Sequence, residues 1–164
     1  MYERFKEMGV PVVMTRTTDE TVNPTERVNR ILNAFGNKED VVVISNHINS
    51  NTTGTAEGAE VIYALRNDDT LASNILNALE NAGQIGRSYY QRRLPSDTSK
   101  DYYFIHRNTG VTEPVIVEYG FINNANDLNR IKQNYREYVD AVVDALIATK
   151  MGGEIPPQGT ISYV

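Results

Sequence analysis

Hydrophobic positions along this chain alternate between two spacings, and the alternation predicts the elements. Met1 to Met8 reads as a helix that starts without a cap, with Gly9 placed to end it, and Pro11 to Thr15 (PVVMT) follows as a short buried strand. A strong helix start comes next: Asn23 as N-cap, Pro24 at the first helical position and Glu26 placed to reach back as in a capping box. Val28, Ile31, Leu32 and Phe35 then recur at helical spacing until Gly36. Val41 to Ser45 (VVVIS) is apolar on both faces, as in a central parallel strand covered by helices. Ala59 to Leu65 is a further strand, and Asp68 to Ala82 is a helix through Leu71, Ile75, Leu76 and Leu79, closed by Gly83. The polar stretch from Gln84 to Lys100 carries no clear period, and Tyr102 to His106 (YYFIH) is expected as a short strand. Pro114 to Tyr119 (PVIVEY) is a buried strand whose proline occupies the first position, where no ladder donor is needed. Asn126 to Ile131 is one helical turn or two. Tyr135 to Ile147 is a helix with Tyr135, Tyr138, Val139, Val142, Val143, Leu146 and Ile147 on one face.

Strands alternating with helices imply an α/β fold of three layers, a mostly parallel twisted sheet flanked by helices. No internal repeat is visible. Residues 1–150 are expected to form one domain, and residues 151–164 (MGGEIPPQGTISYV) have the composition of a linker or tail.

Composition narrows the chemistry. The 164 residues are 40% hydrophobic and 23% charged, which suits an ordinary globular domain rather than a disordered or collagenous chain. The net charge of −5 argues against a nucleic-acid partner bound through counterion release. No apolar run is long enough to span a membrane, and MYERFKEMGV is too charged for a signal peptide. With no cysteine and two histidines, imidazole chemistry must use His47 or His106, and no thiolate can act as nucleophile or ligand. A G-x-S-x-G elbow, a P-loop, G-x-G-x-x-G and H-E-x-x-H are all absent.

In parallel sheets, sites gather at the carboxyl ends of the strands. Those ends carry Thr15 and Arg16, Asn46 and His47, and Glu118, so a histidine and a glutamate are expected at one edge of one sheet. Neutral imidazole is a common Zn²⁺ ligand, and a carboxylate serves as ligand or general base. His47 also opens a Gly/Asn/Thr-rich loop, where a solvated histidine is an equally ordinary reading. Glu118 sits directly after PVIV, and a carboxylate in such apolar company is rarely without a partner or a task. His106 beside Arg107 reads as structural, Glu57 and Glu60 as surface charges at a strand start, and Arg92 and Arg93 as a solvated face. The ten tyrosines are spread out and point only weakly to carbohydrate stacking.

The segments VVMTRTTDE, TERVNRILNAF, VVVISNHINS, GAEVIYAL and EPVIVEYGFINNANDLNRI, in this order and spacing, resemble the zinc-dependent N-acetylmuramoyl-L-alanine amidases of cell-wall hydrolases, autolysins and phage endolysins. The resemblance runs from Met1 to about Lys150. It implies a twisted sheet flanked by helices and cleavage of the amide between N-acetylmuramic acid and L-alanine in peptidoglycan. It further implies Zn²⁺ as cofactor, His47 of the S-x-H-x-N pattern as a zinc ligand and Glu118 of V-E-x-G-F as the catalytic carboxylate acting on zinc-activated water. The same resemblance implies action outside the cell or at the cell wall, where an endolysin can arrive without a signal peptide.

One departure stands out. The family pattern opens with a strand leading into a Gly-His-Gly-Gly loop whose His binds zinc, then a Glu ligand at the start of the first helix. This chain starts inside what would be that helix, so the expectation is an N-terminally incomplete domain with one of three protein ligands, impaired as a zinc enzyme. The vacated sheet edge invites self-association. Two other readings follow: a catalytically inactive peptidoglycan-binding or interaction fragment with the same fold, and a metal site rebuilt from His47, Glu118 and either His106 or Glu60.

Overall fold

Two long strands, β1 (Val41–Asn49) and β6 (Glu113–Phe121), run parallel through the middle of the sheet in this computed structural model, which describes residues 1–153 and the backbone of 162–163. β2 (Ala59–Tyr63) pairs antiparallel with β6, β3 (Gly86–Tyr90) pairs parallel with β2, and β7 (Ser162–Tyr163) pairs parallel with β1, giving the order β3-β2-β6-β1-β7. The sheet is therefore mostly parallel, as its apolar runs imply. A short antiparallel ribbon, β4 (Arg93–Leu94) with β5 (Asp97–Asp101), stands apart from it.

Successive strand residues point to opposite faces, and each face has its own core. Val42, Val61, Val115 and Val117 pack with α1 (Tyr2–Glu7), α3 (Thr70–Asn81) and α5 (Ala125–Met151). Val43, Ile62 and Ile116 pack with Ile31 of α2 (Pro24–Phe35) and Ile105 of α4 (Phe104–Asn108). Burial on both faces explains why Val41 to Ile44 and Pro114 to Val117 are unbroken apolar runs.

The helix punctuation follows local chemistry. Asn23 Oδ1 accepts the Glu26 N–H at 2.9 Å, Pro24 opens α2, and Gly36 closes it at φ 87°. The Glu26 carboxylate bonds Arg30 Nε at 2.9 Å, so the back-reaching half of the expected capping box is spent on an i,i+4 pair. The two C-terminal helical readings form one element, α5, kinked at the non-helical Asn134 (φ −123°, ψ 19°). Tyr138, Val142, Val143, Leu146 and Ile147 are buried as their spacing requires. Tyr135 is not: it lies immediately after the kink, which breaks the helical phase, and is 52% exposed.

Two strand expectations fail. In the Pro11 to Thr15 segment only Val12 makes an isolated bridge, and Val13 and Met14 are exposed. An apolar run becomes a strand only beside a partner along its length, and beyond the Val12 bridge this segment lines a cavity together with Val43 to His47 of β1. YYFIH contributes a helix, with the Arg107 N–H donating to the Tyr103 carbonyl at 3.1 Å and Ile105 and His106 turned inward. Five apolar residues are too few for periodicity to separate the two states. The unassigned stretch from Gln84 to Lys100 holds β3, β4 and most of β5.

Most of the expected tail, residues 154–161 and 164, lies outside the described residues. Within it, Ser162 and Tyr163 pair Val41 and Val42, and no described strand covers β1 beyond them. Among the described residues no helix is long and apolar enough to cross a membrane.

Candidate active site at the ends of the central strands

The strand register brings three polar residues into one row. His47 of β1 lies opposite Glu118 of β6, and Glu118 in turn lies opposite Glu60 of β2. Directly opposed residues share a sheet face. This is the face that carries Val43 and Ile116 into the α2 and α4 core, so the row continues the apolar floor toward solvent.

Glu118 is half-buried, and its Oε2 is enclosed with no hydrogen-bond partner. Burial first, and then the negative charge of Glu60, push its carboxyl up to about 7. Glu60 is held differently, by Arg87 Nε at 2.8 Å, Asn49 Nδ2 at 3.3 Å and the Tyr90 hydroxyl at 3.4 Å. The expectation of a surface charge is wrong for Glu60, which is 8% exposed because the antiparallel β2–β6 pairing carries it inward. One carboxylate is thus fixed as an ion pair while its neighbour is left free to take and release a proton near neutrality.

His47 stands at the accessible end of β1 with Nε2 3.0 Å from Ser45 Oγ. Partial burial, followed by Arg27, holds its imidazole below the ordinary value, which keeps a lone pair available at neutral pH. His106 is fully buried in α4, and burial followed by Arg66 pushes it down to about 4. It stands against Tyr103, outside the row. Arg92 does more than face solvent, since its guanidinium lies 3.8 Å from the Tyr102 ring centroid. Glu57 makes an ion pair with Arg130 at 2.6 Å.

A cavity of about 650 Å³ opens beside the row, with Val12 to Arg16 on one wall, Val43 to His47 on the other, and Glu118 at its lining. Sequence reasoning missed the residue that holds the strand ends together. Asp127, fully buried in the first turn of α5, accepts the N–H groups of Gly58 at 2.9 Å and Phe121 at 2.8 Å through Oδ2, and Arg130 at 2.7 Å through Oδ1. It ties the entry of β2 to the exit of β6, the two strands that carry Glu60 and Glu118. Gly120 approaches at φ 147°, where a Cβ would sit 2.9 Å from the Asp127 Cγ. The available signal was the cap run Asn123-Asn124 ahead of the helix, with Asn124 Oδ1 accepting the N–H groups of Asn126 and Asp127.

The zinc expected from the resemblance does not fit these residues alone. Among the described residues no three His, Cys, Asp or Glu side chains converge to hold a metal ion. The rebuilt site with His106 or Glu60 is overturned by the same finding: His106 is buried elsewhere, and Glu60 is committed to Arg87.

The sign of the Glu118 shift gives a stability test on the metal-free chain. Its folded-state value lies above the unfolded value of 4.5, so between about pH 4.5 and 7 the folded chain keeps a proton that the unfolded chain has released. The stability from this group is complete at low pH and is lost as pH rises through about 7. Glu118→Gln should match the wild-type urea midpoint near about pH 4 and exceed it near about pH 8. Midpoints that fall in parallel would show that burial does not perturb this carboxyl.

The mostly parallel three-layer α/β domain brings a histidine and a perturbed glutamate together toward the carboxyl ends of two adjacent parallel strands, where sites of such sheets gather. The chain belongs to the N-acetylmuramoyl-L-alanine amidase family, whose sequence profile matches residues 1–148. Among solved structures, Cwp6 from Clostridium difficile superposes with a TM-score of 0.78 at 26% identity, covering 90% of this chain and 23% of that one. The catalytic domain of CwlV, an N-acetylmuramoyl-L-alanine amidase from Bacillus (Paenibacillus) polymyxa var. colistinus, gives 0.71 at 19% identity over 88% of this chain and 75% of its own. The apo form of the amidase Ami1 from Mycobacterium abscessus gives 0.68 at 21% identity over 90% and 72%. The likenesses to CwlV and Ami1 establish the shared fold, and the chain spans under a quarter of Cwp6. No curated protein sequence matches the chain.

Proposed function

We propose that the protein is a peptidoglycan hydrolase domain that cleaves the amide between N-acetylmuramic acid and L-alanine, with Glu118 as general base and His47 as one ligand of a zinc site. The observation that carries this reading is the in-register pair His47 and Glu118, with Glu118 Oε2 enclosed and unpartnered and its carboxyl raised to about 7. A carboxylate poised there takes a proton from water as the water oxygen adds to the scissile carbonyl. It returns that proton to the nitrogen as the C–N bond breaks, and the acid so formed passes its own proton to the amine, leaving a lactyl carboxylate and an L-alanyl ammonium. Action on the cell wall, as an autolysin or an endolysin, follows from that substrate.

Because three metal donors do not converge among the described residues, the 164-residue chain is proposed to be impaired in hydrolysis while retaining the substrate surface. The same observation favours a second reading, a peptidoglycan-binding fragment without catalysis. The test is sedimentation with insoluble peptidoglycan together with measurement of newly exposed L-alanine amino groups. Binding with release at or near background is expected. Absence of binding would overturn the assignment to peptidoglycan.

A further inference from the structure

Three arginines meet at the loop that leads into α2, and the structure uses them differently. Arg30 is neutralised: it bonds the Glu20 carboxylate at 2.8 Å, the Glu26 carboxylate at 2.9 Å and the Thr15 carbonyl at 2.9 Å. Arg27 Nη1 donates only to Thr15 Oγ1, at 3.1 Å, and Arg16 Nη1 only to the Glu20 carbonyl, at 3.0 Å. Among the described residues neither guanidinium has a carboxylate at ion-pair distance. Both line the cavity of about 650 Å³ that also holds His47 and Glu118.

The charge of this cavity is opposite to that of the chain. The protein carries a net −5, yet Arg16 and Arg27 are the cationic side chains of the lining and Glu118 is its single acidic one. Glu118 does not neutralise them, since burial and Glu60 hold it largely protonated up to about pH 7. Arg27 is half-buried and close enough to His47 to depress the imidazole, so its charge lies beside the candidate catalytic row. A guanidinium with free N–H groups in a partly apolar cavity of this size is suited to a carboxylate, which takes two of those donors side by side. An uncut muramoyl peptide is uncharged on its sugar, because the lactyl carboxyl is consumed in the scissile amide. Its anionic groups lie on the peptide. We propose that Arg16 and Arg27 form a carboxylate subsite, which selects stem peptides whose residue after L-alanine keeps a free α-carboxylate over those in which that group is amidated. The inference rests on the peptidoglycan reading above and deepens it: the two arginines determine specificity, while the chemistry stays with Glu118.

The probes are N-acetyl-L-alanyl-D-glutamine, whose side-chain amide stands for the link to the next residue and whose α-carboxylate is free, and its α-amide. Each is titrated into the full chain and followed by NMR. The wild-type chain is expected to bind the acid about tenfold tighter than the amide. Arg27→Gln should bring the two affinities within about twofold, and Arg27→Lys, which keeps the charge without the fork, should lie between. Arg16→Gln, at an exposed position clear of the Thr15 contact, should lower the preference about threefold and reads the same subsite if Arg27→Gln fails to fold. Equal affinity of the wild-type chain for acid and amide would overturn the subsite, as would a full preference surviving in folded Arg27→Gln or in both Arg27→Lys and Arg16→Gln. N-acetylmuramic acid, with its lactyl carboxylate free, separates product from substrate: Arg27-dependent binding of this acid tighter than that of the peptide would assign the arginines to the product and refute the selection. Sedimentation with insoluble peptidoglycan separates the two readings. A chain that sediments with the wall but ignores both peptides refutes only the carboxylate subsite, whereas a chain that does neither refutes the substrate assignment as well.

Discussion

Extending the polypeptide upstream of Met1 with the Gly-His-Gly-Gly loop and helix-start glutamate of the family pattern is expected to raise L-alanine release from peptidoglycan at least about 100-fold over the 164-residue chain. The row His47–Glu118–Glu60 offers one imidazole, one free carboxylate and one carboxylate already bound to Arg87. A lone imidazole does not retain zinc, whose protein sites need three or four donors. The short chain is therefore expected to come off a desalting column with well under one zinc per molecule, and the longer form with about one. In the longer form, Glu118→Gln should remove the gain in hydrolysis without removing the metal. Stoichiometric zinc and vigorous hydrolysis in the 164-residue chain, lost on Glu118→Gln, would refute the idea that its donor set is incomplete. A longer form that is active and indifferent to chelators would refute the zinc assignment.

Asp127→Ala is expected to cost about 3–5 kcal/mol of folding stability, chiefly because two buried amides lose their acceptor at about 1–3 kcal/mol each. Three groups lose their acceptor at once: the Gly58 and Phe121 amides and the Arg130 guanidinium, which keeps only Glu57 and Gln84. For a chain of this size that corresponds to a fall in unfolding midpoint of about 6–20 °C, measurable by circular dichroism. Asp127→Asn keeps an acceptor oxygen and should lie between the two. A loss under about 1 kcal/mol in the alanine variant would mean that the ladder between β2 and β6 sets the alignment of Glu60 and Glu118 without the clamp.

The alanine variant also bears on the candidate site, because Asp127 lies at the junction of the strands that bring the two glutamates together. That junction was not readable in advance. Asp127 is one polar residue among several in INNANDLNRI, and nothing in its neighbours announces contacts with Gly58, 69 positions earlier. Glu60 is buried for a related reason. Alternation within AEVIY sets which residues share a face, but its placement beside Glu118 depends on β2 pairing antiparallel to β6. Pro11 to Thr15 carries the composition of a strand and makes only the isolated bridge at Val12, because a strand requires a neighbour at ladder distance along its length. Tyr135 fitted the core stripe of α5 on a continuous period, and a single non-helical residue at Asn134 moved it out of the core.

What the amino-acid sequence determined by itself were the elements whose energetics are local: the capped start of α2 at Asn23 and Pro24, its stop at Gly36, the doubly buried runs of β1 and β6, and the presence of His47 and Glu118 at strand ends. Caps, turns and burial periods depend on residues within about one helical turn or one strand of each other, so they can be read in order along the chain. Only the tertiary structure decided the row from His47 through Glu118 to Glu60, the upward shift of Glu118, the Asp127 clamp and the exposure of Tyr135. Each of these rests on register, on desolvation or on a break in helical phase, and those are set by which distant segments pack together.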